Sequence, residues 1–529
     1  MRNLLLLSVA LLATSACSNK GRIVFMSHRA LDGSDASNGG GVWNIWRVDE
    51  DGTGLNPLTK TTDLGATSEH PQWSPDGAWA AFDSERNLDG TDSWGDEQSN
   101  IWRIKPDGSG MIPITKATGG STHSVYPAWS PDGTRLAFLS QRAVDGSNTG
   151  NANGTANIWR VNVDGSGLIP LTTFTAVNSG CHSFDSCFGI WNLKWSPDGK
   201  QLAFYSNLAL NSTDALNANG TDNIWRINAD GKDLKPLTKF INAGSWNPDW
   251  SRDGTQIIFS SNRALDLTDA KNTNGTYNIW RMNTDGTGLK SLTTSTVASS
   301  GSPRWSPKGL WIVFVSYLAF DLVNALGTKN IWRMNFDGTG LKPLTKATAK
   351  GADSAEPSWS RDASWIGFSS LRALNGADAS NGGGPENIWR VDVDGTGLKP
   401  LTKATAVDAR SVSPDVYTDP PVPQCTVGEP NGCGGCGWLS ANPGTACKKA
   451  NQCGTWQCLD TNKVFCDTSN PAPNSCGGCA ALLIPQEGGD RGQPCIYKQT
   501  FEGVWVCDKG GGSLICCPKG TVGPGCGPE

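Results

Sequence analysis

The sequence predicts an all-β protein: a seven-bladed β-propeller of four-stranded blades, closed by pairing of its N- and C-terminal strands, with a small disulfide-rich module behind it. Three observations carry this. The phrase Asn-Ile-Trp-Arg begins at Asn44, Asn100, Asn157, Asn223, Asn278, Asn330 and Asn387, seven copies at intervals of 52 to 66 residues, and a period of that size marks a repeat architecture. A second phrase, Trp-Ser-Pro-Asp-Gly, begins at Trp73, Trp129 and Trp195 and returns in altered form at Trp250, Trp305 and Trp359. The 64 Gly and 30 Pro of the 529 residues cut the apolar runs into strand-length pieces, which favours short strands over helices.

In chain order, residues 1–16 read as an export signal. Arg2 precedes an apolar run, Leu4 to Ala13, which is too short to span a bilayer. The following Thr-Ser-Ala-Cys resembles the lipobox of bacterial lipoproteins, which makes Cys17 the expected lipidation site and residues 17–21 a short tether. The mature protein is then expected at the cell envelope, anchored through lipid to the outer membrane on its periplasmic or surface side; stable anchoring takes more than one acyl chain.

Residues 22–416 are assigned to the ring. One unit reads as strand A around Pro-Gln-Trp-Ser, a Pro-Asp-Gly turn, strand B ending in Phe, a long loop, strand C on Asn-Ile-Trp-Arg, an Asp-Gly turn and strand D. Gly tolerates the positive φ such turns need, and Asp caps its own turn. Arg22 to Ser27 match a strand B that lacks a strand A before it, while Val412 to Asp415 read as a degraded Trp-Ser-Pro-Asp that supplies it. Their pairing closes the ring and removes the free edge. No single unit can bury both faces of its sheet, so the units must stack.

These repeats resemble the WD40-like repeats of TolB-type propellers over about three quarters of the chain. The resemblance implies the fold and, in TolB itself, a propeller that binds a peptidoglycan-associated lipoprotein. TolB has an α/β domain ahead of a six-bladed ring, and this chain has neither feature. Similar propellers accompany prolyl oligopeptidase-type enzymes, but the segment after this ring contains no Gly-x-Ser-x-Gly elbow.

Residues 417–424 are a Pro-rich linker, and residues 425–529 hold fourteen of the 17 Cys. Once Cys17 is set aside, the Cys181 and Cys187 pair and the C-terminal group are both even in number, as a disulfide framework in an oxidising compartment requires. The net charge of -5 and the absence of a Lys/Arg cluster exclude nucleic acid as a partner. The expected state is a monomer whose partner is an envelope protein or a glycan.

Strand direction puts the A–B and C–D turns at one end, the bottom, and the B–C and D–A loops at the other, the top. The bottom turns repeat and the top loops vary, which is where specificity on a uniform scaffold sits. Three places before each strand A Trp stand His70, Tyr126, Asn192, Asn247, Ser302 and Glu356, with Ala409 at the degraded seventh position; these are the candidate ligand-binding ring. The Arg of each Asn-Ile-Trp-Arg is read as a structural partner. His28, His70, His123 and His182 all fall in or beside top loops, and a His-bound metal there would make a lyase-like, carbohydrate-active enzyme, the alternative to a non-catalytic binder. Some sugar-acid lyases with a seven-bladed ring of this repeat family use such a metal. Oxygen-bearing residues spaced three apart recur in the B–C loops, as Asp32, Asp35, Asn38 and as Asp266, Asp269, Asn272, with related sets at Asp145, Asn148, Asn151, at Asn211, Asp214, Asn217 and at Asn375, Asp378, Asn381. They are candidate ligands for a structural calcium or caps of their own loops.

Overall fold

The computed structural model describes residues 21–418, except 35, 39–40, 92–97, 119–121, 148, 152–153, 176–188, 213–214, 216, 218, 320–326, 378 and 382–383, and the backbone of six strands between residues 446 and 518. The chain divides into two units, residues 20–420 and residues 421–529 with 1–19. The first is a ring of seven four-stranded antiparallel sheets.

Blade 1 contains Ser68–Trp73, Ala80–Ser84, Asn100–Ile104 and Ile112–Pro113 as strands A to D. Strands A of blades 2 to 6 are Ser124–Trp129, Ile190–Trp195, Ser245–Trp250, Ser300–Trp305 and Ser354–Trp359. Blade 7 joins the chain ends: its strand A is Ser411–Tyr417, and Arg22–Ser27, Asn44–Asp49 and Asn56–Pro57 complete the sheet. Each strand A touches those of the two neighbouring blades, so the seven line a central channel.

The repeated letters have separate jobs. The Trp of strand C lies opposite the Phe of strand B, as in Phe25↔Trp46 and Phe82↔Trp102, and both are buried. This face packs on the Ile and Leu of the preceding blade: Trp73, Phe82, Trp102 and Ile104 of blade 1 cluster with Val24, Ile45 and Leu58 of blade 7. Burying one such aromatic contributes about 1.5–3 kcal/mol, and every blade repeats the arrangement. The strand C Asn replaces the ladder that strand D is too short to provide, since strand D pairs over just two residues. Asn157 Oδ1 accepts from Thr172 Oγ1 at 2.8 Å and from Phe174 N at 2.8 Å, while its amide donates to Phe174 O at 2.9 Å. The same three bonds are made by Asn44, Asn100, Asn223, Asn278, Asn330 and Asn387.

The bottom turns are equally determined. In Ser-Pro-Asp-Gly, Asp76 Oδ1 accepts from Ser74 Oγ at 2.5 Å and Ala78 N at 3.0 Å, and Gly77 takes φ 66°. The strand C Arg reach the bottom turn of the next blade: Arg160 donates to Ala229 O at 2.8 Å, Arg226 to Thr284 O at 3.3 Å and Arg281 to Phe336 O at 3.2 Å. They are structural partners, as the sevenfold repetition implied.

Closure is as expected in kind and different in register. Ser27 pairs with Ser411 and Arg22 with Tyr417, matching Ser84 with Ser68 in blade 1. Val416, not Val412, therefore stands where the other blades have Trp, and Ser-Val-Ser-Pro-Asp-Val aligns with Ser-Glu-His-Pro-Gln-Trp. The sequence reading matched Ser-Pro-Asp to the bottom turn, whereas the hydrogen-bond ladder places it within the strand. Tyr417 and Thr418 extend the closure beyond residue 416: Tyr417 Oη donates to Asp76 O at 2.8 Å and Thr418 Oγ1 accepts from Arg361 N at 2.8 Å.

In the second unit Ala446–Lys449, Gln452–Asp460 and Lys463–Asp467 form one three-stranded antiparallel sheet, and Pro494–Tyr497, Phe501–Cys507 and Leu514–Pro518 form another. The lipidation site Cys17, the Cys181 and Cys187 pair and the cysteine side chains of the C-terminal module lie outside the described residues. Among the described residues no helix is long and apolar enough to cross a membrane.

Candidate functional site

Every strand A carries one irregularity at the same place. In blade 1 Glu69 pairs with Asp83 and Gln72 with Ala81, so strand A holds one residue more than strand B; the shift recurs in the other six blades. Inside it a non-glycine residue takes positive φ: His70 (51°), Tyr126 (56°), Asn192 (58°), Asn247 (54°), Ser302 (51°), Glu356 (54°) and Ser413 (54°). Such values are rare outside glycine, and bulges re-aim side chains. Six of these residues are the ring expected from sequence. The seventh is Ser413 in place of Ala409, which is buried, and the difference follows from the corrected register.

The ring residues meet one another across blade boundaries. Asn192 Nδ2 donates to Asn247 Oδ1 at 3.0 Å, and Asn247 Nδ2 to Ser302 Oγ at 3.5 Å. Glu356 Oε2 accepts from Ser413 N at 2.8 Å. The His70 and Tyr126 rings lie 4.0 Å apart, tilted by 46°. Together they form a belt of amide, hydroxyl, carboxylate and aromatic groups at the channel mouth.

Beneath His70, Asp83 is buried and accepts at Oδ1 from Tyr126 N at 3.1 Å, with His70 Nδ1 at 3.0 Å from the same oxygen. Glu69 joins them: ligand atoms of Glu69, His70 and Asp83 all lie within 4.8 Å of one another, the one such group among the described residues. His123 approaches Asp83 too, but burial pushes its imidazole down to about 4, more than Asp83 raises it, and its Nδ1 accepts from Ser99 N at 3.2 Å. His28 belongs to blade 7, its ring 3.5 Å from that of Trp43 and tilted by 41°, and is likewise lowered to about 4 by burial and by Arg410. His182 lies outside the described residues. Of the histidines, His70 and His123 flank one carboxylate and His28 stands apart.

Two residues along from the ring, a second layer faces the axis: Gln72, Ala128, Lys194, Asp249, Arg304, Ser358 and Asp415. The sequence reading missed it. Its signal was the period of two in a strand, which puts the residue just before each strand A Trp on the face of the ring residue. Four members lock blade to blade. Gln72 Oε1 accepts from Trp129 N at 2.8 Å, Asp249 Oδ2 from Trp305 N at 2.7 Å, Asp415 Oδ2 from Trp73 N at 2.8 Å, and Ser358 Oγ from Val416 N at 3.2 Å. Four next-blade Trp indoles also bond a carbonyl of the layer: Trp129 Nε1 donates to Gln72 O at 3.1 Å, Trp195 Nε1 to Ala128 O at 2.9 Å, Trp250 Nε1 to Lys194 O at 3.0 Å and Trp359 Nε1 to Arg304 O at 3.1 Å.

The layer's charges act on each other across the channel. Arg304 and then burial hold Lys194 down at about 8, against the pull of Asp249 and Asp415. Burial pushes Asp415 up to about 6 despite its bond from Trp73 and the two cations, and raises Asp249 as well.

The calcium candidates are placed as loop closures. Asp32 Oδ1 accepts from Ser34 N at 2.8 Å, and Asn38 Nδ2 donates to Thr61 O at 3.0 Å; Asp35 is outside the described residues. Asp266 Oδ1 accepts from Thr268 N at 2.9 Å, Asp269 Oδ2 from Ile241 N at 2.9 Å, and Asn272 Nδ2 donates to Ser295 O at 2.9 Å. The loops are thereby braced at their necks by Arg29↔Ser37 and Arg263↔Lys271 bridges. Among the described residues these members of the pattern bond their own loops.

No family model matches the chain. Over 249 residues it is 25% identical to the uncharacterized peptidase YuxL of Bacillus subtilis, 47% of this chain and 29% of that protein. Over 286 residues it is 24% identical to the uncharacterized protein Atu1656 of Agrobacterium fabrum, 48% of this chain and 86% of that one. The chain thus spans less than a third of the first relative. Among solved structures it is similar to TolB from Acinetobacter baumannii, at 16% identity and TM-score 0.39 over 75% of this chain and 66% of that one. A putative TolB from Agrobacterium tumefaciens matches at 20% identity and TM-score 0.37, over 62% of this chain and 89% of that one. Oligogalacturonate lyase from Vibrio parahaemolyticus matches at 13% identity and TM-score 0.44, over 70% and 91%. TolB proteins and other propellers are this chain's structural neighbours, and what they share with it is the fold.

Proposed function

We propose that the protein is a non-catalytic binder of the cell envelope, exported and lipid-anchored at Cys17, whose top face captures a partner at the channel mouth. One observation carries this reading: on blades whose strand B, strand C and bottom-turn phrases repeat, the inward-facing positions of strand A differ from blade to blade. A scaffold that needed only to fold has no use for five residue types among the seven copies of one strained position. The D–A loops around the mouth also present exposed apolar side chains, Leu64, Ile241, Val297 and Val407, which suit a protein surface better than a sugar. Gly21 stands at the bottom, its carbonyl accepting from Glu50 N at 2.7 Å, so a tether from Cys17 would hold the bottom near a membrane and leave the mouth open. The test is capture from envelope extract by the wild-type chain and by a His70→Ala/Tyr126→Ala/Glu356→Ala variant. The variant is expected to lose the captured protein at an unchanged melting temperature; capture at wild-type yield would refute the proposal.

The second reading, a metal-dependent lyase-like enzyme, has the Glu69, His70 and Asp83 group in its favour. Two carboxylates and an imidazole make a suitable donor set for a divalent transition metal, and these three residues would hold it. Metal analysis of the purified protein separates the readings, because the enzyme needs a stoichiometric transition metal.

A further inference from the structure

Resting on the mouth as the place where a ligand arrives, we propose that Lys194 and Arg304 form an anion subsite in the channel, one layer below the ring, that takes a carboxylate of an acidic peptide segment of the partner. The argument is one of elimination within the layer. Gln72, Asp249, Ser358 and Asp415 each accept a main-chain N–H of the next blade. Ala128 is apolar and buried. Lys194 and Arg304 carry donors alone and cannot take that role, so the Trp250 and Trp359 N–H groups that follow them receive no such bond.

Neither cation staples the next blade, and their part in the ring is to face the carboxylates of Asp249 and Asp415. Among the described residues Lys194 makes no side-chain hydrogen bond or ion pair, and the one side-chain bond of Arg304 is a long 3.4 Å contact to the carbonyl of Pro303. They stand on alternate blades, 3 and 5, with Asp249 between them. Both are half-buried. The repulsion from Arg304 is the largest influence on Lys194, with Asp249 and Asp415 pulling the other way.

The surroundings narrow the ligand. A guanidinium beside an ammonium suits a carboxylate or a phosphate, but Asp249 and Asp415 share the layer and disfavour a dianion. A single carboxylate fits that balance. The belt above offers the amides of Asn192 and Asn247 and the Ser302 hydroxyl on the same side of the channel as Lys194 and Arg304, a set that matches peptide groups. The exposed apolar loop residues argue for protein over acidic glycan.

The test measures binding of an acetylated penta-aspartate peptide to the full-length chain by calorimetry, with penta-asparagine and penta-galacturonate as companions. Wild-type protein is expected to bind penta-aspartate and not penta-asparagine. Lys194→Gln/Arg304→Gln should weaken binding at least tenfold without lowering the melting temperature, and Arg304→Lys, which keeps the charge, should retain it. Unchanged affinity in the double variant together with a loss in the mouth variant would overturn the subsite and leave the mouth reading intact. Unchanged affinity in both would overturn both. Failure of wild-type protein to bind the peptide, or binding of penta-galacturonate in its place, also overturns the proposal.

Discussion

The bottom of the ring and its axis are built from the same blades, yet they obey opposite rules. At the bottom, Ser74, Asp76 and Gly77 and their counterparts make the same bonds in blades 1 to 4. On the axis, the ring and the layer below it keep one backbone geometry and change the side chain. Where a residue's job is to satisfy the backbone, the solution is unique and repeats. Where the backbone is already satisfied by a bulge, the side chain is released for something else. The second layer shows both rules at once, since four of its members staple blades and three, Ala128, Lys194 and Arg304, do not.

This contrast predicts a graded set of outcomes. The largest effect belongs to the scaffold: Asn157→Ala removes three buried bonds and leaves Thr172 and Phe174 with unpaired groups, at a cost of about 3 kcal/mol, seen as a clear drop in thermal midpoint with residual capture by the folded fraction. Next comes the axis. Lys194→Met should raise the midpoint at pH 7, because a lysine lowered from 10.5 to about 8 by folding takes stability away as pH falls between those values, and the loss is complete at pH 7. A lowered midpoint would mean that Asp249 and Asp415 outweigh Arg304. The same group gives a pH signature for peptide binding, with Arg304, Asp249 and Asp415 as the charges facing it: affinity should fall as pH rises through about 8, and the fall should vanish in Lys194→Gln. The smallest effect returns to the bottom, where Ala363 replaces the turn glycine and takes φ 56°. Ala363→Gly should stabilise the ring by about 0.5–1 kcal/mol; destabilisation would show that its buried methyl outweighs the strain.

The legibility of this fold in its sequence follows from the same division. Asn-Ile-Trp-Arg and Trp-Ser-Pro-Asp-Gly repeat because each letter has a bond or a packed face, so strands B and C, the turns and the closure were readable. The ring at His70 was found because the Trp beside it gives a fixed ruler. Where that ruler is missing, at Val416, the reading slipped to Ala409, since Ser-Pro-Asp fits a turn by composition and a strand by register. The Lys194 layer escaped because its residues share no type, and only the pairing shows that Asp249 and Asp415 are staples while Lys194 and Arg304 are not. The Asx spacing in the B–C loops was seen, but whether such residues cap a chain or grip an ion depends on which N–H groups they reach.

The measurement that tests the account most directly is site-specific photo-crosslinking in the cell, with a photoreactive amino acid replacing Tyr126 at the mouth or Phe336, an exposed residue of a bottom turn. The account predicts one partner crosslinked from position 126 and none from position 336, with both proteins folded. The same adduct from position 336, with none from position 126, would contradict it.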